Sequence, residues 1–293
     1  MTVQMLKALV FGGVLAISAC ARTPKASSSV AGRPPSLDCP PLALRFVIDK
    51  EYDAQTIFGM LHGINPGGAS ARAADMGVGD DLARRIHVAS DYASVAEEIA
   101  RIVETRHSEN SARLEGARSE YERLWAPVLG RFAKVVTSET GHCWFHSTPE
   151  IQYTDVVSAF HRGVSSWYGN TIATGFNLSP ESKLRISAHE IVLSQVFHVI
   201  RKYHPQSEIS DWHVWALSEL TAVWILSDPR LRPYWPTFRT SEYFAHSNYP
   251  QLAELEQELA PIYGRRASFR AYADEAVARV RGLEQQALTT RKP

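Results

Sequence analysis

The chain has 293 residues, with 31 basic and 31 acidic side chains and a formal net charge of zero at pH 7. This balance argues against a nucleic-acid-binding protein, which needs a basic surface to meet the phosphates, and against a polybasic membrane patch. Hydrophobic residues make up 45% of the chain and aromatic residues 10%, which is typical of a globular protein with an ample core.

The first twenty residues predict export and lipid anchoring. Lys7 carries a positive charge, and the apolar stretch 8–19 is too short to span a bilayer but typical of a signal peptide. It ends in Ile17-Ser18-Ala19-Cys20, which resembles the lipobox of bacterial lipoproteins. The resemblance implies that residues 1–19 are a signal peptide and that acylated Cys20 anchors the protein to membrane lipid. The resemblance extends to the sorting rule of Gram-negative lipoproteins, by which Ala21, in place of Asp, implies the periplasmic side of the outer membrane. The alternative is an ordinary signal peptide followed by a coincidental cysteine.

Residues 20–40 are predicted to form a flexible tether that carries the lipidated cysteine, because they are rich in Ala, Ser and Pro and have little to bury. We expect a single folded domain over 41–290. Cys39 and Cys143 remain in an oxidising compartment, where a disulfide between them would close a loop of about 100 residues. The alternative is two buried thiols.

The folded part is predicted to be α+β and mainly α. A helical N-terminal part (41–137) holds a strand at 42–48, a helix at 53–61, a helix over 80–105 that breaks near Ser90, and a helix over 112–136 interrupted at Pro127. A core (138–230) holds strands at 142–146, 151–157 and 169–178 and helices at 183–203 and 214–226. Two C-terminal helices (231–290) follow, at 251–263 and 268–288.

The helix at 183–203 carries the most informative motif. His189 and Glu190 begin a His-Glu-x-x-His pattern, in which two histidines one turn apart bind zinc and the Glu acts as general base. The second His position holds Leu193. A strand, this helix and a later helix bearing Glu219 follow in the order of gluzincin-type zinc metallopeptidases, which residues 149–227 resemble. The resemblance implies a zincin-like core, zinc ligands at His189 and Glu219, and Glu190 as the general base.

Leu193 argues against a working zinc site, because catalytic zinc normally has three protein ligands and a leucine offers no lone pair. It also continues an apolar helix stripe with Val196 and Ile200. The sequence therefore favours a protein without a cofactor, in which the metal site is lost and the old cleft binds or scaffolds an envelope protein or peptide.

Two other functions stay open. The first is an active zinc peptidase in which His213 or His161 replaces the missing ligand. His198 is excluded from that role because nine residues turn a helix by about 180° relative to His189. The second is a purely structural helical lipoprotein in which His189 and Glu219 never meet.

Two further clusters attract attention. Strand alternation would place His142 and His146 on one face and Cys143 on the other, so we expect no metal there. Four tryptophans lie close together in the sequence, at Trp212, Trp215, Trp224 and Trp235. They are predicted to pack in the core, and the alternative is an aromatic groove that binds a peptide or glycan.

Overall fold

The computed structural model describes residues 37–62, 73–74, 76–154, 164–165, 169–175, 178–238 and 250–290. Within these ranges the chain forms eight α-helices and a four-stranded sheet, so the predicted class of α+β, mainly α, is confirmed. The helices are α1 (Lys50–Leu61), α2 (Asp80–Val88), α3 (Ala96–Trp125), α4 (Leu129–Thr140), α5 (Pro180–Tyr203), α6 (Asp211–Leu226), α7 (Pro250–Arg265) and α8 (Phe269–Thr290). The strands are β1 (Arg45–Val47), β2 (Glu150–Thr154), β3 (Val164–Ser165) and β4 (Thr171–Gly175).

The described residues group into two compact units, one within 50–109 and the other within 34–49 and 110–293. In the first unit α1, α2 and the start of α3 bury Ile57, Ile86 and Ile99. There, Nε2 of buried His107 lies 2.7 Å from Oδ2 of Asp53. The second unit contains the sheet and α4 to α8. The single domain expected over 41–290 stays a prediction.

The two motif helices begin three residues earlier than the apolar pattern predicts, because each has an N-cap. The hydroxyl of Ser179 accepts the Ser182 N–H before α5, and Pro180 takes the first helical position. The hydroxyl of Ser210 likewise accepts the N–H of His213 before α6.

No helix in the described part of the chain is long and apolar enough to cross a lipid bilayer.

The helical N-terminal part is divided differently from the prediction. The breaks near Ser90 and at Pro127 are confirmed, since α2 ends at Val88 and α3 ends at Trp125. The predicted gap between residues 105 and 112 is wrong, because α3 continues through it as one helix of 30 residues. This segment holds weak helix formers but neither Gly nor Pro, and burial of His107 offsets a propensity cost of only tenths of a kcal/mol per residue.

The sheet has the strand order β1-β2-β4-β3. β2 pairs in parallel with both β1 and β4, while the short β3 lies antiparallel to β4. Ile151 of β2 is the register partner of Ile172 of β4, and both are buried. β4 packs against α5, so the sheet covers one side of that helix. The outer parts of the predicted strands, 155–157 and 176–177, lie outside the described residues.

The predicted strand at 142–146 is wrong, because the structure has bends and irregular backbone there. Cys143 lies at disulfide-bond distance from Cys39, with an S–S separation of 2.04 Å, in agreement with the predicted pairing. The side chain of Gln195 on α5 forms hydrogen bonds with two backbone groups of this segment, which in a strand would pair with a neighbouring strand. Its Nε2 donates to the Cys143 carbonyl at 3.0 Å, and its Oε1 accepts the Phe145 N–H at 3.0 Å.

Candidate functional site

Helices α5 and α6 form the most extensive helix pair of the second unit and bring the two predicted zinc ligands together. Nε2 of His189 lies 2.9 Å from Oε2 of Glu219. The side chains are 6% and 13% exposed, so the contact lies inside the protein. The second alternative, a structural helical lipoprotein, assumed that His189 and Glu219 never meet, and this assumption is wrong. Two ligands of one tetrahedral zinc would lie about 3.2–3.5 Å apart. The observed separation is that of a direct hydrogen bond.

The charge around His189 favours its protonated form. Burial alone lowers the pKa of this imidazole, because it removes water from the charged ring. The carboxylate of Glu219 raises the pKa through its charge and its hydrogen bond, and the charge of Glu190 adds to this, while that of Arg185 opposes it. The raising contributions together exceed the effect of burial, so the pKa of His189 lies above its ordinary value of 6.5.

Leu193 lies one turn after His189 and is 1% exposed. It belongs to the same buried cluster as Val196 and Ile200, in agreement with the predicted apolar stripe. Glu190, the predicted general base, is partly buried next to this stripe. The position at which the His-Glu-x-x-His pattern has its second histidine is thus filled by a hydrocarbon side chain that packs in the core.

The other candidate ligands lie in different places. His213 is in the first turn of α6, where its Nδ1 lies 2.7 Å from the hydroxyl of Ser210. His161 and the lipidation candidate Cys20 lie outside the described residues. Of the tryptophans, Trp215 and Trp235 are buried in the main core, as predicted.

A pair of histidines that the sequence does not connect lies on the opposite face of α5. Nε2 of His198 lies 3.1 Å from Nε2 of His146, which is in the loop between α4 and β2. The ring of Phe145 stacks on His198 with centroids 5.1 Å apart. Burial lowers the pKa of His198, and the charge of His146 lowers it further. His146 and His198 are 52 residues apart in the sequence, so no local pattern links them. The sequence indicated only that His198 faces away from His189 on the helix.

A pocket adjoins the same loop. It lies between the loop, the start of β4 and α5, and its walls include Trp144, His146, Asn170, Ser194 and Gln195. The Nε1 atom of Trp144 and the Oδ1 atom of Asn170 are buried and have no hydrogen-bond partner among the described residues. This pocket is lined by α5 residues of the His198 face and not by His189.

No protein-family model, no curated protein and no solved structure matches this chain.

Proposed function

We propose that this chain is a lipid-anchored protein of the bacterial envelope that acts by binding and not by catalysis. In this proposal the α5–α6 pair keeps the arrangement of a zinc metallopeptidase, and a direct His189–Glu219 contact occupies the place of the metal. Acylation of Cys20 would hold the protein on the periplasmic side of the outer membrane, and its ligand would be an envelope protein or peptide.

The observation that carries the proposal is the 2.9 Å bond between His189 and Glu219 together with the buried Leu193. The bond joins Nε2 of His189 to Oε2 of Glu219, so each side chain has a polar partner inside the protein. A leucine cannot supply the third protein ligand that catalytic zinc normally has. Without a metal to acidify water, Glu190 has no activated nucleophile from which to remove a proton.

A buried pair of this kind is suited to joining two helices. One hydrogen bond to a charged group contributes about 1.5–3 kcal/mol, and removal of either partner would leave a polar group buried without compensation. The α5–α6 pair would then present a constant shape to a binding partner without a metal. This role needs only the positions of the two side chains, which are both present.

Metal analysis of the full chain, purified in detergent without chelator, tests the proposal. We expect zinc content to be the same in the wild type and in His189→Ala, and peptide hydrolysis to be no higher than in Glu190→Gln. Stoichiometric zinc that is lost in His189→Ala, with hydrolysis that is lost in Glu190→Gln, would show an active zinc peptidase instead. Fractionation of cells that produce the wild type or Cys20→Ser reports on anchoring, since the variant should leave the membrane fraction.

A further inference from the structure

The His146–His198 pair lies outside the zincin-like site, and nothing in the preceding sections requires it. We propose that these two imidazoles form a binding site for a divalent transition-metal ion of the Zn²⁺ or Cu²⁺ type. Imidazole nitrogen is a preferred ligand of both ions. The proposal is independent of the function proposed above, because the pair lies on the opposite face of α5.

The geometry of the two rings carries the inference. If the N–H of one ring pointed straight at the lone pair of the other, the ring centres would lie about 5.4 Å apart, since each centre is about 1.1–1.2 Å behind its nitrogen. The observed distance between the centres of His146 and His198 is 4.9 Å, so the rings are bent away from a straight line.

Without an ion the two rings share a hydrogen bond, in which the Nε2–H of one ring donates to Nε2 of the other. The same bend also points both rings towards a common ion, which would replace this hydrogen bond. With metal–nitrogen bonds of about 2.0–2.1 Å and the observed Nε2–Nε2 distance of 3.1 Å, the angle at the ion is about 100°. The ring centres would then lie about 4.8 Å apart, close to the observed 4.9 Å. An angle of about 100° lies between tetragonal and tetrahedral coordination, which are the preferences of Cu²⁺ and Zn²⁺.

Both rings are held in position by other parts of the second unit. The loop that carries His146 is attached to α5 by the two bonds of Gln195 and to Cys39 by the disulfide at Cys143. Gln195 lies one turn before His198 on the same helix, so one helix surface positions both ligands. The ring of Phe145 stacks on the ring of His198 and so fixes its plane. Sites with positioned ligands bind metals more tightly than mobile side chains, because less conformational freedom is lost.

The remaining coordination positions would be taken by water or by a ligand from solution. The described residues contain no group of three or more His, Cys, Asp and Glu side chains that could hold a metal ion, so the site offers two protein ligands. The pocket beside His146 is also lined by the polar residues Asn170 and Ser194. A site with open positions is suited to binding a further ligand through the ion.

Calorimetric titration of the full chain in detergent with Zn²⁺, after chelator treatment and dialysis, tests the site. We expect one ion per chain, an affinity lower by more than tenfold in His146→Ala and in His198→Ala, and no change in His189→Ala. Gln195→Ala should weaken binding by about tenfold, as loss of a positioning partner does. His142→Ala is the matched control, since it removes a histidine of the same loop and should change the affinity less than twofold.

Absence of saturable binding, or equal losses in His142→Ala and His146→Ala, would overturn the assignment. Zinc lost only in His189→Ala would overturn both this site and the proposed function, whereas failure of this site alone leaves that function intact. If either alanine variant does not fold, the wild type decides the question. Zn²⁺ should then protect His146 and His198, and not His142, from diethyl pyrocarbonate in peptide mapping, and lack of this protection would refute the site.

Discussion

The contact between His189 and Glu219 allows a quantitative prediction by a double-mutant cycle. His189→Leu leaves the Glu219 carboxylate in the protein interior without its partner, and Glu219→Leu does the same to the imidazole. Because the side chains are only 6% and 13% exposed, solvent weakly screens a charge that has lost its partner there. Each single substitution should therefore lower the free energy of unfolding by about 3–5 kcal/mol.

The double variant should lose much less than the sum of the two single losses. With both groups replaced by leucine, no polar group is left without a partner, and buried ion pairs replaced by hydrocarbon are often neutral in stability. The cycle should give a coupling energy of at least about 2 kcal/mol. Urea denaturation followed by circular dichroism measures it, provided that the m-value is the same in all four proteins.

The reasoning is refuted if the single losses add to within about 0.5 kcal/mol, which is the behaviour of independent sites. The pH dependence gives a second check. The pKa of His189 is raised in the folded state, so the stabilisation is fully present below its ordinary value of 6.5 and is lost as the pH rises through the folded pKa. The difference in unfolding free energy between wild type and double variant should therefore shrink on going from about pH 5.5 to about pH 9.

Three further predictions concern other parts of the chain. Replacing Cys39 and Cys143 together by serine should lower the free energy of unfolding by up to about 4.7 kcal/mol, because the bond closes a loop with a sequence separation of 104, and a reductant should destabilise only the wild type. Leu193→His should cost about 1–3 kcal/mol in the absence of metal, since it buries a polar ring, and thermal unfolding should show that Zn²⁺ recovers this loss; a variant as stable as the wild type without metal contradicts the packing role. Cys20→Ser should abolish acylation, measured as the mass of the mature N-terminal peptide, and an unchanged mass would contradict the lipobox prediction.

Much of the helical framework was predictable because it depends on near neighbours. The apolar repeat of α5 and the proline after α3 act within one or two turns, so their positions in the sequence suffice. The pattern failed where side chains from distant elements intervene. The segment around Cys143 alternates like a strand, but the Gln195 side chain binds the backbone groups that strand pairing needs.

The candidate site divides in the same way. The sequence by itself determined the order of His189, Glu190, Leu193 and Glu219 and so predicted an interrupted metallopeptidase-like motif, because motif order is a property of the chain. Only the tertiary structure decided that His189 and Glu219 touch at 2.9 Å and that His146 meets His198 across 52 residues. Distances between separate elements depend on how a disulfide, a side-chain amide and the packing of α5 combine, and no local pattern carries that information.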